Sequence, residues 1–288
     1  RDQFEAFTNA FFEEGNIIVF DEIPKGINEL TAIIPENTAV KNLFIFKKGL
    51  ENFELIENIE LNKDKKLMVE FAHPNPLKAF HVGHLRTLIT GESLVRILEN
   101  AGYKVTRANY QGDIGLHVAK AIWALKKADE KPTDVTRLGE AYTRGTWAYE
   151  ENDESKAEIN DINKKVYERT DEHLNEVYDS GKKISLDYFE TIYKKLGTTF
   201  DYYFFESEVG PIGKEIVESH SEVFKKSQGA TVFHGEEYGL HTRVFINKDG
   251  LPTYEAKELG LLKEKANKFS FDTSVAVVGN EIKEYAEV

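Results

Sequence analysis

An α/β fold organised on a doubly wound parallel sheet is what this sequence predicts, and three observations predict it. Strand and helix patterns alternate from Leu67 to about residue 127, a long helix-patterned stretch rich in charge follows, and strand patterns return beyond His241. The 288 residues are 41% hydrophobic and 12% aromatic, enough to bury a sizeable core and to exclude a chain that is disordered throughout.

Leu67 to Phe71 reads as a buried strand closed by the turn Pro74-Asn75-Pro76. Leu85, Leu88, Ile89, Leu94, Val95 and Leu98 then fall at helical spacings, and Gly102 stands where a left-handed stop is needed. A second strand runs from Lys104 to Tyr110. After the turn Gln111-Gly112-Asp113, a second helix is marked by Leu116, Ala119, Ile122, Trp123 and Leu125. Two strand–helix pairs in about 60 residues begin a Rossmann-like sheet. Residues 129–227 carry Glu, Lys and Asp with scattered Tyr, Phe and Leu, which predicts a mainly helical insertion between sheet strands. The sheet is then expected to resume: His241 to Ile246, a turn at Asn247 to Gly250, a strand pattern at Thr253-Tyr254, and Ser274 to Val278 before Gly279. Residues 66–288 thus form the main domain. Residues 1–65 form a small N-terminal α+β appendage, with apolar runs at Ile17–Phe20, Ala32–Ile34 and Leu43–Phe46 broken by Pro24, Pro35 and Gly49.

The absence of cysteine excludes disulfides, thiolate metal sites and a Cys nucleophile, and agrees with a reducing compartment. No protein-held metal is expected. No apolar run approaches the roughly 20 residues that span a bilayer, so a soluble cytoplasmic protein without a membrane partner is expected. A net charge of −13 argues against indiscriminate DNA binding, which needs clustered Lys and Arg. The chain begins at Arg1 and stops at Val288 within a strand-to-helix pattern, so a fragment of a longer protein is expected.

The segment carrying most chemistry is Pro74-Asn75-Pro76-Leu77-Lys78-Ala79-Phe80-His81-Val82-Gly83-His84, between a strand and a helix. A helix N-terminus offers free N–H groups and the positive dipole end to a phosphate, and Gly83 leaves its approach open. His81 and His84, three residues apart, share a helical face and can donate to phosphate oxygens, with Lys78 in reach of the same group. Two surface histidines or a metal-binding pair would show the same letters; the strand before and the helix after favour a nucleotide. Gln111, Gly112, Asp113 and Gly115 lie at a strand's C-terminal end, where open α/β sheets bind ligands, although Gly-Asp-x-Gly is also an ordinary turn.

His81-Val-Gly-His84 resembles the first signature of the class I aminoacyl-tRNA synthetases. Val69-Glu70-Phe71 leading to Pro74-Asn75, together with Asn109-Tyr110-Gln111-Gly112-Asp113-Ile114-Gly115, is similar to the arginyl-tRNA synthetases. So are Gly239-Leu240-His241-Thr242-Arg243-Val244-Phe245 and Leu251-Pro252-Thr253-Tyr254-Glu255-Ala256-Lys257, all in the family's order from about residue 67 onward.

This resemblance implies that His81, His84 and Lys78 stabilise the reacting phosphate, and that His81, Gly83, His84, Gly279 and Asn280 contact ATP. It implies an arginine site of Glu70, Asn75, His84, Gln111, Asp113, Tyr254, Glu258 and Glu281. Glu70 and Asn75 would hold the charged and α-amino ends, with Tyr254 and Glu258 facing the guanidinium. That division suits a planar fork of donors that never deprotonates. Glu258 stands where the family's Asp is expected, and Ile282 also departs from the pattern.

The implied reaction is attack of the arginine carboxylate on the α-phosphorus of ATP, followed by transfer of the arginyl group to the terminal ribose of tRNA(Arg). Mg²⁺ would offset phosphate charge, and tRNA would bind before arginine is activated efficiently. No K-M-S-K-like loop and no C-terminal helical anticodon domain precede Val288, so this piece alone is expected to be a poor catalyst, and a monomer. Two other readings stay open: a small-molecule nucleotidyltransferase of the same fold, and a noncatalytic arginine- or nucleotide-binding module.

Overall fold

The computed structural model describes residues 62–279, 282 and 286–288, and three short strands before them. Those strands are β1 (Ala10–Glu13), β2 (Ile17–Phe20) and β3 (Phe44–Lys47), in the order β1-β2-β3. β1 and β2 are antiparallel, β2 and β3 parallel. Two of the apolar runs read from the sequence thus fall on strands, while Ala32–Ile34 lies outside the described residues. Contacts divide the chain into two units, Arg1–Leu67 with Ser93–Val105, and Met68–Glu92 with Thr106–Val288.

The main sheet is parallel and four-stranded: β4 (Lys66–Glu70), β5 (Lys104–Gln111), β6 (Tyr202–Phe205) and β10 (Thr273–Ala276), in the order β10-β4-β5-β6. β4 is buried from Leu67 to Glu70 and β5 from Ala108 to Gln111. Such unbroken runs mark strands covered on both faces. Helix α1 (Val82–Asn100) follows β4 and ends in a Schellman motif. Gly102, at φ 87°, donates its N–H to Glu99 O at 3.0 Å, and Tyr103 N–H reaches Leu98 O at 3.1 Å.

After β5, helix α2 (Leu116–Lys127) buries Val118, Ala119, Ile122 and Leu125. The predicted insertion supplies α3 (Val135–Glu151), α4 (Asp153–Glu168) and α5 (Glu172–Leu196), N-capped by Asp134, Asn152 and Asp171 respectively. Their apolar faces close on α2 through Leu138, Ile159, Ile162 and Leu174.

The span 129–227 is not uniformly helical, because β6 lies within it and pairs with β5 from Ala108↔Tyr202 to Gln111↔Phe205. A four-residue aromatic run between helices cannot be told from a helical turn by periodicity. Helix α6 (Glu206–Ser219) follows at once.

The strand pattern near His241 is real but belongs to another sheet. β9 (Arg243–Ile246) pairs antiparallel with β8 (Ala230–Phe233), which pairs with β7 (Lys225–Ser227). In the stretch after residue 227, β10 is the strand that joins the parallel sheet. Thr253 and Tyr254 are not a strand either. Thr253 is the N-cap of α7 (Tyr254–Lys268), tied to β9 by its N–H to Phe245 O at 2.9 Å and its hydroxyl to Val244 O at 2.6 Å. A two-residue β-patterned dipeptide lacks the length to exclude a helix start.

Helices α6 and α7 touch backbone to backbone. A Cβ on Gly213 would lie 1.8 Å from Ala256 O, and one on Gly260 would lie 2.0 Å from Val209 O. We predict that Gly213→Ala loses about 1–3 kcal/mol in urea unfolding, since a blocked backbone outweighs alanine's better helix propensity. Gly139→Ala on α3 is the control. Its Cβ meets only Ala79 Cβ, at 3.5 Å, so a gain of about 0.5–1 kcal/mol is expected.

Candidate functional site

The loop from β4 to α1 is strained and firmly held. Ala72, His73 and Leu77 have φ of 78°, 49° and 60°, the left-handed region that residues with a Cβ seldom adopt. Leu77 is fully buried, and its N–H donates to Ser185 Oγ at 3.0 Å. Thr87 Oγ1 donates to Ala72 O at 3.0 Å, and the His73 ring lies 3.2 Å from Val277 O through Nε2. The loop thus delivers its end to the start of α1 in one conformation.

There the His81 and His84 rings stack, centroids 3.7 Å apart. Gly83 N–H donates to His81 Nδ1 at 3.1 Å and His81 N–H points at His84 Nδ1 at 3.4 Å. Both Nδ1 atoms therefore act as acceptors, which leaves each Nε2 carrying the proton as a free donor. A Cβ on Gly83 would lie 2.9 Å from His81 Cε1, so the stack requires glycine. Burial pushes His84 down to about 3, helped by His81 and Lys78. Burial and then Lys78 lower His81 as well. Both rings are neutral at pH 7. A cavity of about 660 Å³ opens beside them, lined by Lys78, His81, Tyr142, Thr143 and Arg144, with Lys78 Nζ 5.4 Å from the Tyr142 ring centre.

A cluster of carboxylates forms the second half of the site. Glu70, at the C-terminal end of β4, is 2% exposed and pairs with Lys265 Nζ at 2.6 Å. Glu258, on α7 with Lys265, is half-buried rather than a solvated helix residue. Burial first, and then the charge of Glu70, push its carboxyl up to about 7. Tyr254 opens α7 with most of its ring exposed.

Glu206 and Lys257 were not among the site residues read from the sequence. Glu206 heads α6, is 5% exposed, and forms a buried ion pair with Lys257. A Cβ at Gly112 would lie 2.4 Å from Asn75 Oδ1 and 3.2 Å from Glu206 Oε1, so this glycine lets both side chains meet at the turn. The signal for Glu206 was its place directly after a strand, and that strand was itself unread.

Asp113 is fully buried and saturated. Its carboxylate accepts from the Tyr178 hydroxyl at 2.8 Å, Lys182 Nζ at 2.7 Å, Ser207 Oγ at 2.6 Å and Ser207 N–H at 2.9 Å. It ties the end of β5 to α5 and α6. Gln111 is also fully buried, and neither its amide nitrogen nor its amide oxygen has a hydrogen-bond partner among the described residues. Gly279 follows β10, while Asn280 and Glu281 lie outside the described residues. The structure therefore brings Lys78, His81, Gly83 and His84 together where the loop enters α1, and sets Glu70 near Glu258 of α7.

A parallel sheet with stacked histidines at the start of α1 is the frame of a nucleotide-binding α/β domain of the class I type. The family model described as "tRNA synthetases class I (R), catalytic domain" matches residues 48–287. An arginine–tRNA ligase from Clostridioides difficile is 31% identical over 247 residues, covering 82% of this chain and 43% of its own length. One from Borreliella burgdorferi is 29% identical over 294 residues, covering 92% of this chain and 49% of itself. The crystal structure of arginyl-tRNA synthetase from Plasmodium falciparum shares the fold with a TM-score of 0.64 at 19% identity, over 90% of this chain and 44% of its own. The chain belongs to the class I tRNA synthetase (R) catalytic-domain family, and it spans less than half the length of these relatives.

Asp113→Asn should cost about 3 kcal/mol in urea unfolding, because it leaves Lys182 without its buried counter-charge. A loss below about 0.5 kcal/mol would show that the four-donor junction does not hold these elements together.

Proposed function

We propose that the protein to which this chain belongs activates L-arginine with ATP and transfers the arginyl group to tRNA(Arg). The observation that carries this reading is the pairing of a helix-start histidine stack with a buried carboxylate cluster at the strand ends. The stack suits phosphate, and the cluster suits a cation that cannot lose its charge.

In this reading, Glu70 and Glu258 receive the guanidinium, Tyr254 forms one wall, and Asn75 holds the α-amino group. His84 borders both substrates. Gln111 offers the arginine an amide whose hydrogen-bonding atoms are otherwise unpartnered. Asp113 acts as a positioning residue, since its oxygens are already engaged. Glu281 would add to the arginine site, and Gly279 and Asn280 to the nucleotide site.

The arginine carboxylate attacks the α-phosphorus; the bond to the bridging oxygen breaks and pyrophosphate leaves. Neutral His81 and His84 donate through Nε2 to oxygens that gain charge, and Lys78 adds a cation. A ribose hydroxyl of tRNA then attacks the acyl carbon, and AMP leaves. Mg²⁺ would accompany ATP as part of the substrate and offset its phosphate charge. Prior binding of tRNA promotes arginine activation. The protein works in the cytoplasm as a monomer with no DNA or membrane partner, and among the described residues no helix is long and apolar enough to cross a bilayer.

Calorimetric titration with L-arginine, L-lysine and L-citrulline, with and without ATP, tests this. Arginine alone should give saturable heat, and equal binding of citrulline would sink the reading. In the full-length protein, His81→Asn should lower tRNA-dependent ATP–pyrophosphate exchange about 10²–10³-fold with arginine affinity unchanged.

A further inference from the structure

The inner face of α7 and its surroundings hold four carboxylates and three lysines. Glu70 on β4 pairs with Lys265 at 2.6 Å, Glu206 on α6 with Lys257, and Asp113 after β5 with Lys182 at 2.7 Å. Glu258 has neither an ion pair nor a hydrogen bond among the described residues. Each lysine of the cluster is already committed to another carboxylate.

We propose that arginine and a proton compete for Glu258, so that the incoming guanidinium expels one proton from a pocket otherwise one cation short. This rests on the arginine-activating reading above. It adds that the free pocket keeps its balance by protonating this carboxyl.

The groups facing Glu258 argue for it. From β4 comes Glu70 and from α6 Glu206, both of which oppose its ionisation. From α7 itself comes Lys265, which favours ionisation but sits on Glu70 Oε2. Lys257 lies against Glu206 and faces the Tyr167 ring of α4 and the Tyr254 ring of α7. Asp113, behind Glu206, adds negative charge to the cluster. His73 reaches Glu70 Oε1 at 3.7 Å through Nδ1. An unpaired carboxylate in such a place is costly, and taking up a proton removes the cost. Its carboxyl titrates at about 7, inside the physiological range.

The sign follows from linkage. Below pH 7 Glu258 carries a proton that must leave before the guanidinium can pair, so arginine affinity falls with acidity; above pH 8 the group is already ionised and affinity levels off. Between pH 8 and pH 6 the dissociation constant should rise about tenfold, and at pH 7 about half a proton should leave per arginine bound. Citrulline, whose side chain carries no charge, gains nothing from the exchange.

The test is calorimetric titration of the full-length protein with L-arginine at pH 6, 7 and 8, in two buffers of different ionisation enthalpy. The expected result is buffer-dependent heat at pH 6 and 7 that reports proton release and vanishes at pH 8. Glu258→Gln should bind arginine more weakly, release no proton, and show a flat affinity from pH 6 to 8. Arginine binding by the unaltered chain without buffer-dependent heat overturns the proposal and leaves the arginine reading standing. Release that persists in Glu258→Gln comes from a group other than Glu258 and overturns it as well. Absence of arginine heat at every pH overturns both readings.

Discussion

The Asp113 carboxylate is the interaction on which the rest of this site depends. It sits at the end of β5 with no exposure to solvent and gathers four donors from α5 and α6. A buried charge is tolerable only when its lone pairs are satisfied, so the insertion helix α5 and the start of α6 are bound to the strand end by necessity. Because Ser207 is fixed, so is Glu206 beside it. Glu206 in turn fixes Lys257, and with it the register in which α7 presents Tyr254 and Glu258.

The same compensation recurs around α7. Lysines from one helix reach down to Glu70 and Glu206, two carboxylates on different elements. Removing either partner would strand a charge of the opposite sign, which is why such pairs hold geometry more than they add net stability. Among the described residues Glu258 is the exception and has no ion pair. Its raised pKa and the histidines' lowered ones have one origin, burial that disfavours the charged form.

Two contacts of the backbone permit this crowding. Gly213 and Gly260 let α6 and α7 approach until carbonyl oxygens take the space of a Cβ, and Gly112 leaves room for Asn75 and Glu206 to meet. The left-handed Ala72, His73 and Leu77 add the opposite device, a strained turn held by burial of Leu77 and by the hydroxyls of Ser185 and Thr87. Strain of this kind persists only where surrounding structure over-determines it.

What the sequence determined by itself is what local pattern encodes: the buried run Leu67–Phe71, the α1 periodicity stopped at Gly102, and the placement of His81 and His84 at a helix start. These depend on residues within a few positions of one another, so spacing reveals them. Tertiary structure alone decided which strand joined which sheet. Tyr202–Phe205 joined the parallel sheet at its edge because β5 lay beside it, and Arg243–Ile246 turned to β8, although both are four-residue runs. It also decided that Asp113 is a junction saturated by donors 65 to 94 positions away, and that among the described residues Glu258 is left without the lysine its neighbours have. The state of a charge is set by what burial and distant chain bring to it, and no local pattern carries that information.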